Sequence, residues 1–232
     1  EIVVALTDKG LIQDKVQSRV HLGDNARLYA QGAVLLDPVE ELGLQTGEVF
    51  DAGKVLIDAF AGSIFSASGS EINVDAASYE LVSSDNDILA SSLTGGNAGS
   101  IEFNVAESFV YLGRLSARPA EGRQGGSLKV VFDANERTLG VPNPTGFAPV
   151  VESEYFGEYT AVLGAYDGEL PAFSDKLDDS LRGKAYIPVD KLAADGFDTL
   201  EVSVVAPLKI SRPVLDSSVP VIEFASDTSL SL

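Results

Sequence analysis

Cysteine is missing from this chain, which excludes a disulfide framework and a thiolate metal site and leaves stability to packing alone. Methionine is missing too, position 1 included. No run of about 18 apolar residues marks a transmembrane helix, and no basic, apolar leader opens the chain at Glu1. Together these absences suggest a mature product or an internal piece of something longer, with any signal peptide in the missing part. Cationic residues are scarce: 16 Lys and Arg stand against 35 Asp and Glu, a formal net charge of −19. Such a field repels nucleic-acid phosphate and anionic membrane surfaces over a Debye length, so neither nucleic-acid binding nor membrane insertion is expected. The acidity reads first as a solvated face that prevents self-association, and it also attracts divalent cations.

What is present is a rhythm. Gly53-Lys-Val-Leu-Ile-Asp-Ala59, Gly99-Ser-Ile-Glu-Phe-Asn-Val-Ala106 and Gly126-Ser-Leu-Lys-Val-Val-Phe-Asp133 each set a glycine before roughly alternating apolar and polar residues. Between Gly53 and Ala76 the pattern returns every eight or nine residues, through Val55, Ile57, Ile64, Ile72 and Val74, with corners at Gly62 and Gly69. Three strands with their turns make a coil of roughly 22 to 27 residues, and coils stacked about 4.8 Å apart pair each strand in parallel with its successor. Gly99 and Gly126 stand 27 residues apart, one coil; Gly53 and Gly99 stand 46 apart, close to two. A repeat that buries its apolar face only against its own next copy predicts an elongated rod. The alternative is a β-sandwich with glycine turns every eight to twelve residues.

Alternation assigns the faces. Ile101, Phe103 and Val105 point inward with Glu102 and Asn104 outward; Leu128, Val130 and Phe132 point inward with Lys129 outward. The leading glycines are expected where a corner needs positive φ or close backbone approach. The chain divides into residues 1–133, β-helix coils; 134–182, a loop-rich insertion outside the coils; and 183–232, the coils resumed. Near the start, Ile2 to Leu6 and Arg27 to Leu36 read as strands. The insertion holds Pro142, Pro144, Pro149 and Pro171 beside Phe147, Tyr155, Phe156, Tyr159, Tyr166 and Phe173. It is either a binding protrusion or a segment whose aromatics form their own small core. Leu230-Ser-Leu232 ends in a strand-like pattern without a polar cap, so the rod is expected to continue beyond it.

Four segments carry a resemblance to a known family: Thr46 to Ala59, Ala61 to Val74, Ala98 to Ala117 followed by Gly125-Gly-Ser-Leu128, and Leu192-Ala-Ala-Asp-Gly-Phe-Asp-Thr-Leu200. In this order they resemble filamentous haemagglutinin-like exoproteins, the large surface adhesins of Gram-negative bacteria exported by two-partner secretion. The resemblance spans about half the chain, in Thr46 to Asp133 and from Gly183 onward. It implies a right-handed parallel β-helix (solenoid), export through an outer-membrane transporter, a secreted or cell-surface location, and a part in adhesion, cell aggregation, biofilm or contact-dependent toxin delivery. Its partners would be that transporter and then a host or bacterial surface receptor or polysaccharide. The missing cysteines suit a chain threaded unfolded through a pore.

Chemistry is sparsely signalled. The single histidine lies in Ser18-Arg-Val-His-Leu-Gly-Asp24, and Ser18, His21 and Asp24 on an extended strand cannot converge on one imidazole. Carboxylate pairs occur at Glu40 and Glu41, Asp85 and Asp87, and Asp178 and Asp179. A glycosidase needs two carboxyls about 5 to 9.5 Å apart, which spacing along a sequence does not fix. A polysaccharide-active β-helix enzyme therefore stays open as an alternative. Calcium is the most compatible metal, through the oxygens of Ser83-Ser-Asp-Asn-Asp87, although that run lacks the glycine and glutamate of an EF-hand and reads first as a polar turn. No catalytic, cofactor-binding or metal residue is assigned, and the expectation is a non-enzymatic stalk.

Overall fold

The computed structural model describes residues 1–5, 19–39, 45–59, 62–85, 88–133, 158–172, 175, 177–205, 208–211, 214–217 and 220–224. Among these the regular structure is all β, without a helix. Strands β1 (Ile2–Ala5), β2 (Arg19–Leu22) and β3 (Arg27–Tyr29) are followed by an antiparallel hairpin, β4 (Ala33–Leu36) with β5 (Gly47–Phe50). The same set recurs as β6 (Lys54–Ala59), β7 (Ser63–Ser66) and β8 (Glu71–Asn73), then the hairpin of β9 (Ser78–Asp85) and β10 (Ile88–Gly95). A third set, β11 (Ser100–Val105), β12 (Ser108–Tyr111) and β13 (Arg114–Ser116), leads through a short turn to β14 (Gly126–Asp133). Then come β15 (Tyr159–Leu163), β16 (Lys184–Ile187), β17 (Phe197–Val205), the hairpin of β18 (Leu208–Ser211) and β19 (Val214–Ser217), and β20 (Pro220–Phe224).

Equivalent strands of successive sets join in three sheets, ordered β1-β6-β11-β14-β17, β2-β7-β12-β16-β15-β20 and β3-β8-β13. Every pairing within these three is parallel. Register stacks like on like. Val55, Ile101, Leu128 and Leu200 form one row across the first sheet, and Ile57, Phe103, Val130 and Val202 the next. Apolar residues from all three sheets, including Ile57, Ile64, Ile72, Phe103, Phe109 and Leu115, meet in one core. The rings of Phe103 and Phe109 lie 4.9 Å apart, those of Phe132 and Tyr159 5.2 Å. Each such side chain taken fully out of water contributes about 1.5–3 kcal/mol.

The alternation of β11 and β14 agrees with the assigned faces: Ile101, Phe103, Val105, Leu128, Val130 and Phe132 are buried, and the residues between them are only partly so. On the outer side Glu102 pairs with Lys54 and Lys129 with Glu201, the latter at 2.9 Å. Of the leading glycines, Gly99 and Gly126 answer close approach, whereas Gly53 has room for a Cβ. A Cβ on Gly126 would stand 2.4 Å from the Cβ of Ala117 and 2.7 Å from the Gly99 carbonyl oxygen.

Two expectations meet a different structure. Arg27 to Leu36 is two strands, because the backbone leaves the three-stranded sheet at Ala30 and Gly32 donates to the Asp75 carbonyl at 2.8 Å before β4 begins. The segment 134–182, read as lying outside the coils, contains β15, which sits inside the six-stranded sheet between β16 and β20. Tyr159-Thr-Ala-Val-Leu163 is buried at every position. A strand covered on both faces shows no polar–apolar alternation, so the rhythm that revealed the others is silent here.

The segment that follows covers neighbouring strands of the same sheet. Leu177 and Leu181 pack on Phe65 and Val110, and the Tyr166 ring lies 4.8 Å from that of Tyr186. Buried Arg19 on β2 ties this strap down, donating from Nη1 to the Ala172 carbonyl at 3.2 Å and from Nη2 to the Asp175 carbonyl, with its guanidinium 5.7 Å from the Phe65 ring centre. The insertion's Phe147, Tyr155, Phe156, Phe173, Pro142, Pro144 and Pro149 lie outside the described residues, as does the Leu230–Leu232 end.

Candidate functional site

The structure describes only some of the residues weighed for chemistry. His21 lies on β2 beside Phe65, between the core residues Val20 and Leu22. Asp24 sits in the turn after β2, where its Oδ1 accepts from the Gly69 amide at 3.2 Å; Ser18 lies outside the described residues. The Ser180 side chain, and then its amide at 2.7 Å, donate to Asp178 and hold its carboxyl below the usual range, while Asp179 reaches Arg182 at 3.6 Å. Asp85 ends β9 opposite Ile88, and Glu40, Glu41 and Asp87 lie outside the described residues. Among the described residues no group of three or more His, Cys, Asp or Glu side chains could hold a metal ion.

Two places gather polar chemistry that the sequence did not mark. The first is a cavity of about 440 Å³ beside β13. The three-stranded sheet ends at β13, and residues 188–196 cross the next level in turns. Between strand and turns the cavity is lined by Arg114, Lys191, Asp190 and Asp195, over Leu115 and Leu192, with Tyr111 and Tyr166 on its wall. Asp195 also meets Arg118 at 3.6 Å. Burial raises the Tyr111 phenol, whose hydroxyl donates to the Arg114 carbonyl at 3.2 Å. Lys191 precedes, and Asp195 lies within, the Leu192 to Leu200 segment noted in the sequence, but nothing there signals that Arg114 joins them.

The second is the corner from which the hairpins β4–β5 and β9–β10 emerge on successive sets. They touch: the Val82 amide donates to the Gln45 carbonyl at 3.0 Å. At their root the Asp51 carboxylate accepts from the Asn97 amide at 2.6 Å and from its side-chain nitrogen at 3.2 Å, and Asn97 Oδ1 accepts from the Gln124 amide at 3.1 Å. These bonds, chiefly the Asn97 backbone amide, lower the Asp51 carboxyl below its ordinary value; Arg123 adds a smaller effect of the same sign.

Compared with known proteins, the chain matches no family model, no curated protein and no solved structure.

Proposed function

We propose that this chain is a segment of an extracellular β-helical stalk, part of a bacterial surface adhesin or filament of the haemagglutinin-like exoprotein kind. The observation that carries this reading is the parallel, in-register stacking of β1, β6, β11, β14 and β17, drawn from successive stretches of sequence. Stacking of that kind lets a chain grow in one direction by adding levels, and it fits the order of glycine-led segments noted in the sequence. Adhesion, aggregation or biofilm formation would then follow from surfaces displayed along the rod. The test is twofold. X-ray scattering of the purified chain should give the profile of a rod, and beads coated with it should retain bacterial or host cells that uncoated beads release. A compact scattering profile removes the stalk; a rod that retains no cells removes the adhesive role.

The cavity beside β13 favours one second reading, a site for an acidic polysaccharide. Arg114 and Lys191 offer cations for a uronate carboxylate, and Asp190 and Asp195 offer acceptors for sugar hydroxyls. Incubation with polygalacturonate or alginate, followed by a reducing-end assay, tests it. An unchanged polymer, together with no binding on an affinity gel, excludes this use of the cavity.

A further inference from the structure

The hairpin β4–β5 presents a sheet face that nothing described covers. Its register places Ala33 opposite Phe50 and Leu35 opposite Glu48, and directly opposed residues share a face. All four are exposed, Leu35 at 60% and Phe50 at 46%. On the opposite face Val34, Gly47 and Val49 are partly buried, and Leu36 at its end is exposed at 39%. Large apolar side chains held out on a two-stranded platform are a docking feature, because leaving them in water forfeits the stabilisation that burial brings.

Charge selects the occupant. Between Gln31 and Asp51 the sequence has five carboxylates and no lysine or arginine; between Asp75 and Gly99, the other hairpin arm, it has four and none. The nearest cations are engaged elsewhere: Lys54 pairs with Glu102 and Arg27 with Glu71 at 3.6 Å, while Arg123 acts on Asp51 at the root. Glu48 stands within the apolar face itself, directly across from Leu35. We infer that the Ala33–Leu35–Glu48–Phe50 face docks a cationic segment of a partner protein in which basic and apolar side chains alternate. The apolar side chains cover Leu35 and Phe50, the basic ones meet Glu48 within the face, and a second copy of this acidic chain is repelled. This inference stands on the hairpin alone, so its failure leaves the stalk reading untouched.

The experiment is fluorescence anisotropy on the full chain with a labelled peptide of alternating Lys and Val. A Lys–Ser peptide of equal charge and a Glu–Val peptide serve as controls. The Lys–Val peptide should bind at least about tenfold tighter than Lys–Ser, Glu–Val should not bind, and affinity should fall as sodium chloride rises from about 50 to about 300 mM. Leu35→Ser with Phe50→Ser should weaken Lys–Val binding by about tenfold or more, as should Glu48→Lys alone, which removes no apolar contact. Equal binding of Lys–Val and Lys–Ser would reduce the site to bare charge and overturn the proposal. Undiminished binding by both variants, or no binding of Lys–Val, would overturn it equally.

Discussion

The Gly53 carbonyl oxygen lies 2.0 Å from where a Cβ on Gly99 would be, and it accepts the Ser100 amide at 3.1 Å. Neither glycine has positive φ, so proximity between levels is what excludes a side chain at Gly99. Gly53 itself would bring a Cβ only to 3.4 Å from the Ala30 Cβ, an ordinary contact. Gly99→Ala should therefore destabilise by roughly 1–3 kcal/mol, as overpacking does, whereas Gly53→Ala should be neutral or mildly stabilising. Chemical denaturation of the two variants checks this, and equal midpoints would contradict it.

Face assignment has its own test. Ile101→Asp and Val130→Asp each place a carboxylate in the core without a partner and should cost about 4 kcal/mol or more. Glu102→Ala and Lys129→Ala remove partly exposed ion pairs and should stay within about 1 kcal/mol of the parent. Melting temperatures of all four decide it.

Arg19 anchors the strap over the six-stranded sheet. Arg19→Met keeps much of the contact with Phe65 but removes the guanidinium donors to the Ala172 and Asp175 carbonyls, the former keeping only the Asp175 amide at 2.9 Å, a loss of about 1–3 kcal/mol. The loss should be local: proteolytic cleavage between Ala165 and Leu177 should accelerate while the core strands keep their amide protection. Cleavage at the parent rate would show that Leu177 and Leu181 hold the strap without help.

Acid should loosen the hairpin root. The Asp51 carboxyl is held below its ordinary 3.8 by the Asn97 amide, so its folded pKa lies under the unfolded one. Its stabilising effect is complete above the unfolded value and lost as pH falls through the folded pKa. The stability gap between the parent and Asp51→Ala should thus be wider at pH 7 than at about pH 3. A gap that stays constant with pH would show that the carboxylate's charge is immaterial to the corner.

Strands with one wet face were legible in the sequence. Val55, Ile57, Ile101 and Phe103 alternate with partly exposed neighbours, and Gly53, Gly99 and Gly126 mark where each begins. What escaped were features without local pattern. Tyr159–Leu163 is covered on both sides and reads like any apolar run. The cavity joins Arg114 to Lys191 and Asp195 across a long stretch of chain, and only the stacking of levels brings them together. The exposed face of β4–β5 was hidden because Leu35 and Phe50 look like core residues until the structure shows them exposed on one face.

Chain order and spatial order part company at one point, with a consequence for assembly. β15 precedes β16 in sequence yet lies farther along the sheet, with β16 between it and β12. A polypeptide emerging amino end first, from a ribosome or a pore, would release Tyr159–Leu163 before their neighbour exists. In the six-stranded sheet, pairing cannot pass β12 until Lys184–Ile187 arrive, although β13 and β14 can already join β8 and β11. That sheet is therefore completed out of chain order, and the edge of β12 stays bare until β16 is made.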